Sequence, residues 1–98
     1  WQIVHNDASG APTLINASST FALATDAVVT LIVAAAPNAG SVWVRIVEEP
    51  SGTVFERELI TDLPASTQFL SPRLYMNNGA TAAAVAFDCS GVYVETDY

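Results

Sequence analysis

Apolar side chains recur along this chain in short runs, separated by clusters of Asn, Asp, Ser, Gly and Pro. That texture predicts an all-β chain. Strands are expected at about 1–5, 12–15, 19–25, 27–36, 41–49, 53–62, 67–76 and 82–96, the last broken near Ser90-Gly91. The connecting segments are Asn6-Asp7-Ala8-Ser9-Gly10, Pro37-Asn38-Ala39-Gly40, Pro50-Ser51-Gly52 and Asn77-Asn78-Gly79. Each supplies residues that tolerate left-handed backbone or carry the fixed φ of proline. Seven or eight strands in so short a chain point to an antiparallel β-sandwich or jelly roll. Within 27–36 the signal is mixed: Val28 to Val33 is rich in β-branched residues, whereas Ala34-Ala35-Ala36 would also suit a helix.

The clearest local unit is a hairpin in which Val42 to Val47 returns through Thr53 to Ile60. With Pro50 second in a type I turn and Gly52 in the left-handed position of a bulge, a three-residue loop pairs Glu49 with Thr53. Trp43 then faces Leu59, and Arg45 lies opposite Arg57. A two-residue loop shifts the register by one and sets Arg45 against Glu58. Like charges directly opposite are unfavourable, so the first register needs acidic neighbours or a partner chain. In either case the strand at 41–49 is apolar on both faces, as expected of a strand between two layers or between a core and a subunit interface.

Composition narrows the function. The chain has 98 residues, 51% of them hydrophobic and only 13% charged, against roughly 25% charged in an average domain. A single domain over 1–98 can bury roughly two-thirds of its unfolded surface. So little charge covers a small monomer poorly, which predicts an oligomer. Three arginines, no lysine and ten acidic residues give a net charge of −7. That balance argues against nucleic acid and anionic membranes as partners. The longest apolar run, Ala27 to Ala36, is too short to span a bilayer. An opening on Trp1 is compatible with a fragment, a processed protein or a part of a longer polypeptide.

Residues that could carry chemistry are few. Cys89 has no second cysteine to pair with, and its Ala86-Phe87-Asp88 context suits a small hydrophobe within a strand better than a nucleophile. His5 is the sole histidine, expected on a surface or edge strand, and cannot complete a metal site with a second one. Glu56/Glu58 and Glu95/Asp97 stand at strand spacing, and Glu48-Glu49 are adjacent. Such carboxylates could work as acid and base or hold calcium, but alternation on a solvated strand gives the same spacing. No phosphate-binding glycine loop, Gly-x-Ser-x-Gly or Cys-x-x-Cys is present. Neither catalysis, a cofactor nor a metal is expected. Asn16-Ala17-Ser18 fits a glycosylation acceptor and reads equally well as ordinary loop. Trp43, Phe55, Phe69 and Phe87 are expected in the core, while Tyr75, Tyr93 and Tyr98 are expected at the surface.

The C-terminal quarter adds most. Asn78-Gly79 suits a tight turn, and Ala82 to Ala86 forms a strand so poor in bulk that another layer could approach it closely. An ordinary edge strand of small residues is the plainer alternative. The stretch LYMNNGATAAAVAFDCSGVYVETDY, Leu74 to Tyr98, resembles the closing segment of small β-domains in virion fibre and spike proteins of tailed bacteriophages. A weaker similarity runs through VTLIVAAAPNAGSVWVRIVEEPSG. The resemblance implies a homotrimeric β-structured fibre element (a head, tip or decoration domain, since no shaft repeats are present) attached to a tail or capsid in the virion. Its partners would be copies of itself, other virion proteins and a host surface glycan. On this reading Ala82, Ala84, Val85 and Ala86 are the oligomer-interface candidates. Asn38, Tyr75, Asn77 and Asn78 are the receptor-contact candidates, at turns where rigid scaffolds carry recognition. The competing expectations are a capsid decoration protein that stabilises the shell and a secreted bacterial carbohydrate-binding or adhesion module.

Overall fold

A computed structural model describes residues 1–18, 20, 27–68, 70–75, 77, 79, 80, 82, 84, 86 and 88–96. Among these the chain is all-β, with five strands, only antiparallel pairing and no helix. The strands are β1 (Gln2–His5), β2 (Thr13–Asn16), β3 (Val29–Ala34), β4 (Val42–Glu48) and β5 (Thr53–Leu59). They form a two-stranded sheet, β1-β2, and a three-stranded sheet ordered β3-β4-β5. No helix of the described residues is long and apolar enough to cross a membrane.

Among the described residues five strands are present, against the seven or eight expected over the whole chain. The one expected at 19–25 lies almost wholly outside the described residues. Those expected at 67–76 and 82–96 do not form among the described residues. Alanine buries little and favours strands weakly, so Ala82, Ala84 and Ala86 offer a neighbouring strand small reward for pairing. The fifth strand stops at Leu59 instead of 62: Leu59 pairs with Val42, the first residue of β4, so no partner remains for the residues beyond, and Asp62 then turns the chain with a φ of 53°.

The chain divides into two units, Trp1–Gln68 and Phe69–Tyr98. The first holds all five strands. Its β4-β5 hairpin adopts neither register expected from the sequence. Glu48 pairs with Thr53, so Arg45 faces Glu56 and Trp43 faces Glu58. The loop is therefore four residues long. The Gly52 amide donates to the Glu48 carbonyl at 2.8 Å, and Gly52 closes the loop with a φ of 69°. The Ser51 hydroxyl also accepts from the Thr53 amide at 3.1 Å. This longer loop resolves the electrostatic problem, because Arg45 meets a carboxylate in place of Arg57.

Register then decides which side chains are buried. Val42, Val44, Ile46 and Glu48 share one face with Phe55 and Leu59 of β5 and with Val29, Leu31 and Val33 of β3. Val44, Ile46 and Leu59 are buried there, Ile46 at 3% exposure. Ala17, which follows β2, is buried against Ile46, with Trp1, Ile3, Val29 and Phe55 packed around them. The opposite face carries Thr30, Ile32, Ala34, Trp43, Arg45, Val47, Val54, Glu56 and Glu58. Trp43 is 51% exposed on that face, which corrects its expected place in the core. Phe55 packs against the core as expected, and Phe69 and Phe87 lie outside the described residues.

The second unit shows no ladder among its described residues. Its local contacts join residues two apart, the spacing of side chains on one side of an extended chain: Arg73 with Tyr75, Tyr75 with Asn77, Cys89 with Gly91, Tyr93 with Glu95. Cys89 is exposed and outside any strand, contrary to expectation, and its thiol donates to the Gly91 carbonyl at 3.5 Å.

The face assignment has a direct test. Ile46→Ala is expected to lower unfolding stability by about 2–5 kcal/mol, the range for a truncated core side chain. Trp43→Ala, three residues away in the same strand and on the open face, should cost less than half as much. Guanidinium unfolding of the two variants measures both, and equal losses would contradict the observed register.

Candidate functional site

Two clusters of polar side chains stand out, one in each unit. In the first unit Asp62 organises the loop between β1 and β2. Its carboxylate accepts the Asp7 amide at 2.8 Å through one oxygen and the Thr13 amide at 2.9 Å through the other. Its carbonyl accepts from His5 Nδ1 at 3.0 Å. A carbonyl oxygen can only accept, so Nδ1 carries a proton in this bond, and His5 Nε2 is buried with no hydrogen-bond partner among the described residues. The Asp7 amide bond first, and the contacts with Thr13 next, hold the Asp62 carboxyl below the ordinary carboxylate range.

The loop that Asp62 grips is built from its own turn residues. Asn6 Oδ1 accepts the Ala8 amide, and Asp7 Oδ1 accepts the Ser9 amide at 2.8 Å. These Asx turns let Ala8 and Gly10 take φ values of 72° and 70°. For Ala8 that conformation is strained by roughly 1–2 kcal/mol, and the two bonds from Asp62 help hold it. This node is structural: it fastens the first hairpin to the segment after β5.

The other carboxylates of this unit serve its strands. Glu56 lies 3.4 Å from Arg45, with both side chains about half exposed, so the pair contributes only about 0.2–1 kcal/mol. Glu49 accepts from the Thr30 hydroxyl, and Glu48 from the Ser51 hydroxyl. Among the described residues no group of three or more His, Cys, Asp or Glu is placed to hold a metal ion.

Asn38, the receptor-contact candidate of the first unit, sits in a turn whose Ala39 amide donates to the Ala36 carbonyl at 3.0 Å. Pro37 supplies the second position and Asn38, at a φ of 56°, the third, as a type II turn requires. Its conformation thus has a sufficient backbone reason.

The second unit brings Tyr75 and Asn77 together. Asn77 Nδ2 donates to the Tyr75 hydroxyl at 3.0 Å, and Asn77 Oδ1 accepts the Gly79 amide at 2.7 Å. The Arg73 guanidinium stacks on the Tyr75 ring, 5.2 Å from its centroid. Tyr75 nevertheless stays 66% exposed. The result is a short ladder of a cation, an aromatic face and an amide along one side of the chain, a set that suits stacking on and hydrogen bonding to a polyhydroxylated ligand. Asn78 lies outside the described residues. Of the interface candidates, Ala82, Ala84 and Ala86 are exposed and Val85 lies outside the described residues. Tyr93 is 84% exposed and its hydroxyl donates to Glu95 at 3.0 Å.

The sequence reading did not single out Asp62 or Arg73. For Asp62 the signal was Thr61-Asp62 followed by Leu63-Pro64, an Asp that tolerates left-handed backbone at a strand end. For Arg73 it was the alternation Arg73-x-Tyr75-x-Asn77, which aligns the three in an extended chain.

Compared with protein-family models, with curated proteins and with solved structures, the chain matches none.

The Asp62 node gives a pH dependence of definite sign. A carboxyl held below its unfolded value adds stability above a pH of about 4 and loses it as the pH falls through the folded value. Wild-type melting temperature should therefore fall more steeply below pH 4 than that of Asp62→Asn. Asparagine tolerates the same backbone but has no charge to lose. Parallel melting curves for the two proteins would show that the Asp62 hydrogen bonds do not stabilise the fold.

Proposed function

We propose that this chain is a non-enzymatic structural module of a phage virion, a fibre head or tip domain that assembles as a homotrimer and contributes to host-surface attachment. Its partners are copies of itself, neighbouring virion proteins and a surface glycan, with neither a cofactor nor nucleic acid involved. The observation that supports the reading most is the ladder of Arg73, Tyr75 and Asn77, an exposed aromatic held in place by flanking polar side chains. The resemblance over Leu74 to Tyr98 points the same way. So does the number of large apolar side chains left exposed in the second unit, Leu70, Leu74, Val92 and Val94 among them. Such surface marks a chain that works in contact with others.

Attachment by repeated copies also suits a small exposed site. One aromatic and two polar groups bind a sugar weakly, but several copies on one assembly bind a repeating surface far better. The test is binding of the full chain to immobilised bacterial envelope polysaccharides, compared with Tyr75→Ala and Asn77→Ala. Wild type should be retained. Tyr75→Ala should bind at least about tenfold more weakly, about 1.4 kcal/mol, with an unchanged circular dichroism spectrum. Equal retention of all three proteins, or of none, would overturn the attachment role.

A further inference from the structure

We propose that β3 is a self-pairing edge, through which two copies of this chain join their three-stranded sheets about a two-fold axis at Leu31. This rests on the self-assembly part of the preceding reading and names the surface. The argument begins with the backbone. The Glu49 amide donates to the Val28 carbonyl at 2.9 Å, and in the register of β3 and β4 these two residues stand directly opposite. Opposed pairs in an antiparallel ladder alternate between bonded and unbonded. Thr30, Ile32 and Ala34 therefore bond inward to β4, while Val29, Leu31 and Val33 turn their N–H and C=O groups toward the outer edge. No strand among the described residues pairs with that edge.

The same alternation carried across β4 leaves Val54, Glu56 and Glu58 turned outward on β5. The two edges are thus opposite in kind. Two carboxylates mark the open positions of β5, and charge of this sort is how sheets keep other strands away. Along β3 there is no charge, proline, glycine or bulge, and all three open positions are apolar. Leu31 is 56% exposed and Val33 70%. Left bare, such an edge is a template for strand addition.

Symmetry and charge select a second copy as the occupant. Two antiparallel strands related by a two-fold axis perpendicular to the sheet must pair residues of the same face. With Leu31 on the axis, Leu31 meets its own counterpart, and Val29 meets Val33 of the other copy on both sides. These are the residues with outward backbone groups, so each of the three pairs can exchange two hydrogen bonds. Val29 already packs against the core, so each copy's Val33 extends the core of the other. Each chain carries −7, and general repulsion disfavours contact; β3 offers six consecutive residues with no like charges to oppose.

The experiment is the solution mass of the full chain by light scattering, for wild type and for Leu31→Lys. The proposal requires an even number of copies: six satisfies both the two-fold seam and the trimer, whereas two alone keeps the seam and overturns the trimer. Leu31→Lys sets two ammonium groups against each other on the axis and should halve that mass with the β-sheet spectrum retained. Leu31→Cys in a Cys89→Ser chain guards against a misfolded lysine variant. Its thiols would face each other across a bonded pair, with Cα atoms about 5.5 Å apart, within disulfide reach. Mild oxidation should give a covalent dimer, whereas Val54→Cys in the same background should not. A wild-type mass of three copies would overturn the β3 seam and leave the trimer reading standing. A mass of one would overturn both. An even mass unchanged by Leu31→Lys, or no crosslink at position 31, would also overturn the seam.

Discussion

The four-residue loop between β4 and β5, closed by the Gly52 amide on the Glu48 carbonyl, sets the phase of every side chain in the larger sheet. Strand side chains alternate with a period of two, so a loop one residue shorter would move β5 by one position against β4 and turn its pattern over. With the loop as it is, Phe55 and Leu59 join Val44 and Ile46 on the covered face, and Glu56 and Glu58 go to the open one. Glycine at position 52 makes this possible, because the last loop residue must take positive φ. The hydrophobic burial and the cross-strand charge pairing follow from the same backbone choice.

The first hairpin depends on a different kind of constraint. Four-residue strands such as β1 and β2 form at best a marginal ladder by themselves. Two things hold them: apolar contact of Trp1, Ile3 and Ala17 with the larger sheet, and the hydrogen bonds that Asp62 makes to Asp7, Thr13 and His5. The apolar contact is non-directional and sets how close the sheets lie. The Asp62 bonds are directional and set where the loop stands. A small domain with so few buried side chains needs both.

Much of this was readable from the chain. The existence of β1 to β5, their antiparallel class and the turns at Pro37-Asn38 and Pro50-Ser51-Gly52 follow from alternation and turn chemistry, which are local properties. The register of the β4-β5 hairpin was not readable. Loops of two, three and four residues all satisfy Pro50 and Gly52, and the Arg45–Glu56 pairing separates them only once the strands are aligned. Trp43 was expected in the core because alternation identifies two faces but not which of them another layer covers. Composition places Cys89, Ala82, Ala84 and Ala86 in a strand, yet a strand exists only through its neighbour, no local pattern supplies one, and none forms among the described residues there. Among the site residues, Tyr75 and Asn77 stood out individually. That Arg73 completes the row follows from extended backbone at positions the sequence marks only by alternation.

The odd-even arrangement along β3 also makes that strand a reporter with two channels. The amides of Thr30, Ile32 and Ala34 are held by β4, and their exchange with deuterated solvent requires the sheet to open. Those of Val29, Leu31 and Val33 face outward, and their exchange depends on what lies beyond the edge. Adjacent residues of one strand thus separate two free energies, that of unfolding the sheet and that of uncovering it.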